Sequence, residues 1–156
     1  MNTENLLHFL SELQQELDRL TQLQPQKIDA VRAHDLDVLN DCMKQEQAIS
    51  LSLRGLEQKR EKLLQALGLS GVSLLELDRH CPPEQRGAVA QATEGVRKQY
   101  RLLCSAQEAA RTVIEKDLRA VNGELERRGL LPEEGDNAYQ TPSSHPRRGL
   151  GTDFRA

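Results

Sequence analysis

Tryptophan is missing from this chain of 156 residues, and Phe and Tyr occur only twice each. Aromatic rings supply much of the bulk of a thick globular core. Without them the interior must be built from Leu, Ala, Val and Ile, which suits a narrow seam between helices. Long apolar runs are missing too. None approaches the roughly 18 residues of a membrane-spanning helix, so no direct membrane insertion is expected. Met1-Asn2-Thr3-Glu4 has none of the basic residues that open a signal peptide, and the expected location is cytoplasmic. Cysteine is scarce. Cys42, Cys81 and Cys104 are odd in number and widely spaced, which gives neither a disulfide framework nor a C-x-x-C pair. They read as free thiols in a reducing compartment.

A surplus of one charge is also wanting. Lys and Arg number 21 against 24 Asp and Glu, a formal net charge of −3, and the two signs are interspersed. That excludes the basic face with stacking aromatics of a nucleic-acid binder, so no nucleic acid is expected as a partner. It also excludes a basic membrane-surface helix. Nor do catalytic groups converge. His8, His34, His80 and His145 are far apart. Glu76 and His80 form one i, i+4 pair, which is not the repeated Glu-x-x-His of a di-iron bundle. A Gly-rich phosphate loop and a nucleophile elbow are both absent from the sequence. The chain is therefore expected to be no enzyme, with no metal and no cofactor.

What is present is leucine at helical spacing. Leu6, Leu10, Leu13, Leu17 and Leu20 alternate steps of four and three, which keeps them on one helix face. Thr3 is a candidate N-cap. Pro25 lacks a backbone N–H and disfavours helix at Gln24, so a kink or short interruption is predicted there. Ile28 and Val31 then resume the apolar face. His34-Asp35 marks a joint, with Asp35 as the cap of a second helix from about Leu36 to Leu67. Its stripe is Leu39, Cys42, Ile49, Leu53, Leu56, Leu63 and Leu67. Glu46 and Arg60 fall on the same stripe about four turns apart, too far to pair with each other. Each needs a partner on another helix or a wet edge. Gly68 supplies a C-terminal stop.

Residues from about Leu69 to Pro83 read as a connector. Ser73-Leu74-Leu75-Glu76 resembles a capping box opening a short helix, and Cys81-Pro82-Pro83 ends it and launches the next. A third long helix is predicted from about Glu84 to Arg128. Its stripe is Val89, Ala92, Val96, Tyr100, Leu103, Ala110, Ile114, Val121 and Leu125, with Leu118 slightly out of register. Gly87, Gly95 and Gly123 each weaken it by about 1 kcal/mol relative to Ala, and Gly129 is the expected stop. Beyond it Pro, Ser, Gly and charge dominate and periodicity ends, as in Thr141-Pro142-Ser143-Ser144-His145-Pro146, so a flexible tail is predicted. Tyr139 is an isolated aromatic within it and a candidate anchor for a partner pocket.

The fold expected is all-α: an elongated antiparallel bundle of three long helices, with a short connecting helix and a disordered C-terminal tail. Residues 1–129 would form the bundle and 130–156 the tail. The stripes of the first two helices are expected to be satisfied within the chain, while the end of the third overhangs them.

The second helix also carries a family likeness. Ala33-His34-Asp35-Leu36-Asp37-Val38-Leu39, then Lys44-Gln45-Glu46-Gln47-Ala48-Ile49, then Leu53 to Leu64 resembles the FlgN-type flagellar export chaperones. The matching positions are Asp35, Glu46 and Arg60, with Leu63 and Leu64. The long last helix followed by Tyr139 and a short terminal segment is similar as well. The resemblance implies a cytosolic chaperone for flagellar type III export. Such a protein binds the C-terminal helical segment of hook–filament junction proteins, keeps them unassembled, and delivers them to the membrane export gate. It implies substrate contacts on the third helix, at Val113, Ile114, Leu118, Val121 and Leu125, and docking to the gate through Tyr139. Apolar side chains left over from the bundle would receive an amphipathic partner helix. The competing reading is a coiled-coil structural or adaptor protein that mainly self-associates.

Overall fold

The computed structural model describes residues 3–130. The predicted tail beyond Leu130, with Tyr139, lies outside the described residues. Three long helices account for most of the rest: α1 (Glu4–Arg32), α2 (Leu36–Ala66) and α3 (Pro83–Arg127), with a short 3₁₀ helix at Leu74–His80 between α2 and α3. No strand occurs among the described residues.

Each long helix ends in the same way. After α1, His34 takes a φ of 53°, its N–H bonds to the Val31 carbonyl, and the Asp35 N–H reaches the Ala30 carbonyl. Gly68 does this after α2 and Gly129 after α3, with φ of 71° and 66°. There the N–H of Leu69 reaches the Leu64 carbonyl and that of Leu130 the Leu125 carbonyl. These paired bonds satisfy carbonyls that a bare helix end would leave orphaned. The first of them also opens α2, since the Asp35 side chain accepts from the Val38 N–H at 3.1 Å. The joint and both glycine stops stand where the sequence puts them.

Two local expectations fail. Thr3 precedes α1, but its side chain makes no capping bond. Its backbone is already helical, at φ −90° and ψ −2°, rather than in the extended form that aims a hydroxyl at the first turn. Pro25 does not interrupt α1, which is continuous from Glu4 to Arg32. The ring faces solvent, while Leu20, Leu23 and Gln24 before it and Ala30 and Val31 after it are buried. Packing on both sides outweighs a proline penalty of about 3 kcal/mol. The predicted capping box is reduced to a simple cap: Ser73 accepts from the Leu75 N–H at 3.4 Å rather than from that of Glu76, and the turn that follows is 3₁₀.

The helices do not pack as equals. Glu46 of α2 meets Gln24 and Lys27 of α1, and Lys59 meets Glu12. Numbers rise on one helix as they fall on the other, so this pair is antiparallel. Gln99 of α3 donates to Asp18 and Thr21 of α1, and Gly95 lies against Gln14. Here the numbers rise together, so α1 and α3 are parallel. α1 is the central strut, packed against both neighbours, while α2 and α3 hardly meet. The expected antiparallel bundle therefore holds for α1 with α2 and not for the larger α1–α3 seam. Leu6, Leu10, Leu13, Leu17 and Leu20 are all buried in one core shared with α2 and α3, joined by Phe9. Leu69, Leu74 and Leu77 of the connector close the end where α3 begins.

Candidate partner-binding face

The register between α1 and α3 fixes where the scaffold ends. Partners across that seam are separated by 81 and 78 residues in sequence. Arg32, the last residue of α1, therefore stands level with Ala110–Val113 of α3. Ala110 is also the last buried residue of α3. From Ile114 to Arg127 the helix continues for about 20 Å at 1.5 Å per residue with no helix beside it among the described residues.

The apolar stripe does not stop where its partner does. Val89, Val96, Leu103 and Ala110 face α1 and are buried. Ile114, Val121 and Leu125 continue the same line at steps of four and seven. Leu118 and Val121 are 57% and 46% exposed, while Val113, Ile114 and Leu125 are half-buried. Four of the six residues singled out from sequence thus lie on this overhang, and Val113 lies at its start, level with the end of α1. Val113 sits about a quarter turn off the line of the other four. The sixth, Tyr139, lies outside the described residues. Asp117 flanks the stripe and has no ion pair among the described residues.

A second exposed apolar group escaped the sequence reading. On α2, Leu36 and Met43 are 76% and 49% exposed, with half-buried Leu39 between them. Cys42, Ile49, Leu53 and Leu64 are the buried residues of α2 and share one face. The signal was Leu36 and Met43, which stand one flank over from the stripe and beside Leu39, a residue the sequence reading assigned to the stripe itself.

The polar interruptions of α2 do find partners. The Glu46 carboxylate accepts from Gln24 Nε2 at 2.8 Å and from Lys27 Nζ at 3.0 and 3.2 Å. Gln24 is itself buried and also donates to the Leu20 carbonyl at 2.9 Å. Arg60 pairs with Glu57 one turn back at 2.7 Å. Lys59 donates to Glu12 across the α1–α2 seam at 2.6 Å, and this bond holds the Glu12 carboxyl below its ordinary range.

Burial, and then the neighbouring Glu46, push the Cys42 thiol up. Burial, and then Asp78, do the same to Cys81, whose Sγ donates to the Leu77 carbonyl at 3.1 Å. Neither is poised as a thiolate nucleophile. Among the described residues no three His, Cys, Asp or Glu side chains gather as a metal site, and no helix is long and apolar enough to cross a membrane. The arrangement offers apolar area on two helices at one end of the molecule.

The model of the family described as FlgN protein matches residues 1–141. A search of curated proteins and a search of solved structures each returned no match.

Proposed function

Since the chain belongs to the FlgN family of flagellar export chaperones, we propose that it is a cytosolic chaperone of flagellar type III export whose substrates are hook–filament junction proteins. It holds their C-terminal helical segments unassembled until delivery to the export gate. The observation that carries the reading is the stripe of α3 that outruns α1. Ile114, Leu118, Val121 and Leu125, with Val113 beside them, are the substrate contacts. Each apolar side chain covered by a partner contributes at roughly 25 cal/mol per Å² of buried area, before ordering losses.

Residues 1–129 act as the chaperone body and 130–156 as the tail, with Tyr139 as the docking residue for the gate. Two experiments separate these roles. Leu118→Glu with Val121→Glu in the full chain is expected to abolish co-purification of the junction protein from a flagellated cell. Deletion from Thr112 onward should do the same while α1 and α2 stay helical by circular dichroism. Retained binding in both would sink the reading. Tyr139→Ala is expected to leave substrate binding intact and to lower secretion.

The same uncovered stripe also favours one rival, a coiled-coil adaptor that pairs with its own copy. Light scattering at micromolar concentration distinguishes them: a stable homo-oligomer supports the adaptor, and a monomer supports the chaperone.

A further inference from the structure

The two exposed apolar groups flank one groove, and their placement follows from the pairings already described. On α1, Glu12, which meets α2, and Gln14 and Asp18, which meet α3, lie on opposite flanks of the buried leucines. The core side of the molecule is the side of those leucines. On α2, Lys59 points to the flank away from it. Leu36, Leu39 and Met43 lie on the other flank of the Cys42–Ile49–Leu53 row, at 100° per residue, and so look toward α3. On α3, Leu118 stands five turns beyond Tyr100 on one line, and Tyr100 lines the crevice on that same core side with Leu10, Leu74 and Leu75.

At the end of the molecule where α3 begins, this groove is filled by the chain itself. The 3₁₀ segment lays Leu74 and Leu77, three residues apart, into it, and both are buried. At the far end the groove has the same kind of lining and no filler among the described residues. Glu46 is level with Gln24 and Lys27, so Met43 and Leu36 run alongside the last turns of α1 and lead up to Ile114 and Leu118.

We propose that one amphipathic helix of the export substrate fills the far end of this groove, touching Leu36, Leu39 and Met43 of α2 before it continues along Ile114, Leu118 and Val121 of α3. This rests on the chaperone reading above and adds α2 to its binding site. The occupant is specified by the walls. The filled end accepts leucines on a helical turn, and the stripe is continuous with the α1–α3 seam, whose other side is a Leu-spaced helix. Asp117, which lacks an ion pair among the described residues, calls for a basic residue on the occupant's flank. From the level of Met43 to Leu125 the face is about 25 Å long, so the occupant has about 17 residues.

The test uses the full chain, the junction protein encoded by the same genome, and titration calorimetry. Met43→Glu and Leu36→Glu are each expected to raise Kd at least tenfold, as does Leu118→Glu. Leu51→Glu, at an α2 residue 65% exposed but facing away from the groove, should change it less than twofold. Met43→Gln, milder in charge, is expected to weaken binding in the same direction. A photo-crosslinker at position 43 and another at 118 should capture the same substrate helix. If Leu118→Glu weakens binding while both α2 variants bind as the parent does, the composite groove is wrong and the α3 reading stands. If Leu118→Glu binds normally as well, the reading beneath it falls. Crosslinks from position 43 to a second copy, or to residues 131–156 of the same chain, overturn the assignment of the occupant.

Discussion

Gln24, Lys27 and Glu46 show how a polar residue survives on an apolar stripe. Glu46 sits where α2 meets α1, and with its side chain 23% exposed it has lost most of its water. Gln24 and Lys27 replace that water with three donor contacts. Hydrogen bonds to a charged group contribute about 1.5–3 kcal/mol when buried. Lys27→Met is therefore expected to lower stability by about 1–2 kcal/mol in urea unfolding, and by less than half of that in a Glu46→Gln background. Equal losses in both backgrounds would mean that Lys27 acts only through its stem. Glu12 has a pH signature. Its carboxyl is held low by Lys59 in the folded state, so the unfolded chain binds the proton more readily. The contribution is present above the ordinary glutamate pKa of about 4.3 and is lost as pH falls through the lower folded value. Glu12→Gln is expected to flatten the acid limb of the stability profile there and to leave neutral pH little changed, because the pair is largely exposed.

The helices differ in what holds them. α1 is secured along its length by burial on two flanks, which is why Pro25 fits inside it. α3 is secured as far as Ala110, and beyond that, among the described residues, by its own hydrogen bonds and by local pairs such as Arg111–Glu115 and Arg127–Glu124. A free segment of that length is marginal as a helix in water. Amide exchange is expected to be fast from Ile114 to Arg127 and slow from Val89 to Ala110. Gly123 lies in the free part, and a Cβ added there meets nothing within 4 Å. Gly123→Ala should stabilise the overhang by about 1 kcal/mol and slow exchange there about fivefold, with no change below Ala110. Slow exchange of the overhang in the unbound parent chain would show that something already covers it.

For the molecule as a whole, the three thiols report the fold. Cys42 and Cys81 are buried in different parts of the bundle and Cys104 is exposed on α3. One thiol per chain is expected to react rapidly with an aromatic disulfide reagent, and two only as fast as the bundle opens. Rapid reaction of all three would contradict the packing of both α2 and the connector against their neighbours. Placing α1 in the middle also has a functional consequence. The scaffold needs only one face of α2 and the first two thirds of α3, so apolar surface remains on both at the end away from the connector.

Periodicity, caps and stops were legible along the chain because they act within a few residues. Leucine spacing gives a helix its face, Asp35 satisfies an N–H three residues on, and Gly68 and Gly129 end helices through their own backbone conformation. The overhang could be read as well, since the stripe of the third helix is longer than the first helix beside it. Three things were not legible: the parallel sense of the larger seam, the passage of α1 through Pro25, and the exposure of Leu36 and Met43. Each depends on which flank of one helix another covers. A stripe records that a face is apolar but carries no record of its neighbour, so a row meant for this chain and a row left for a partner look alike until the helices are packed.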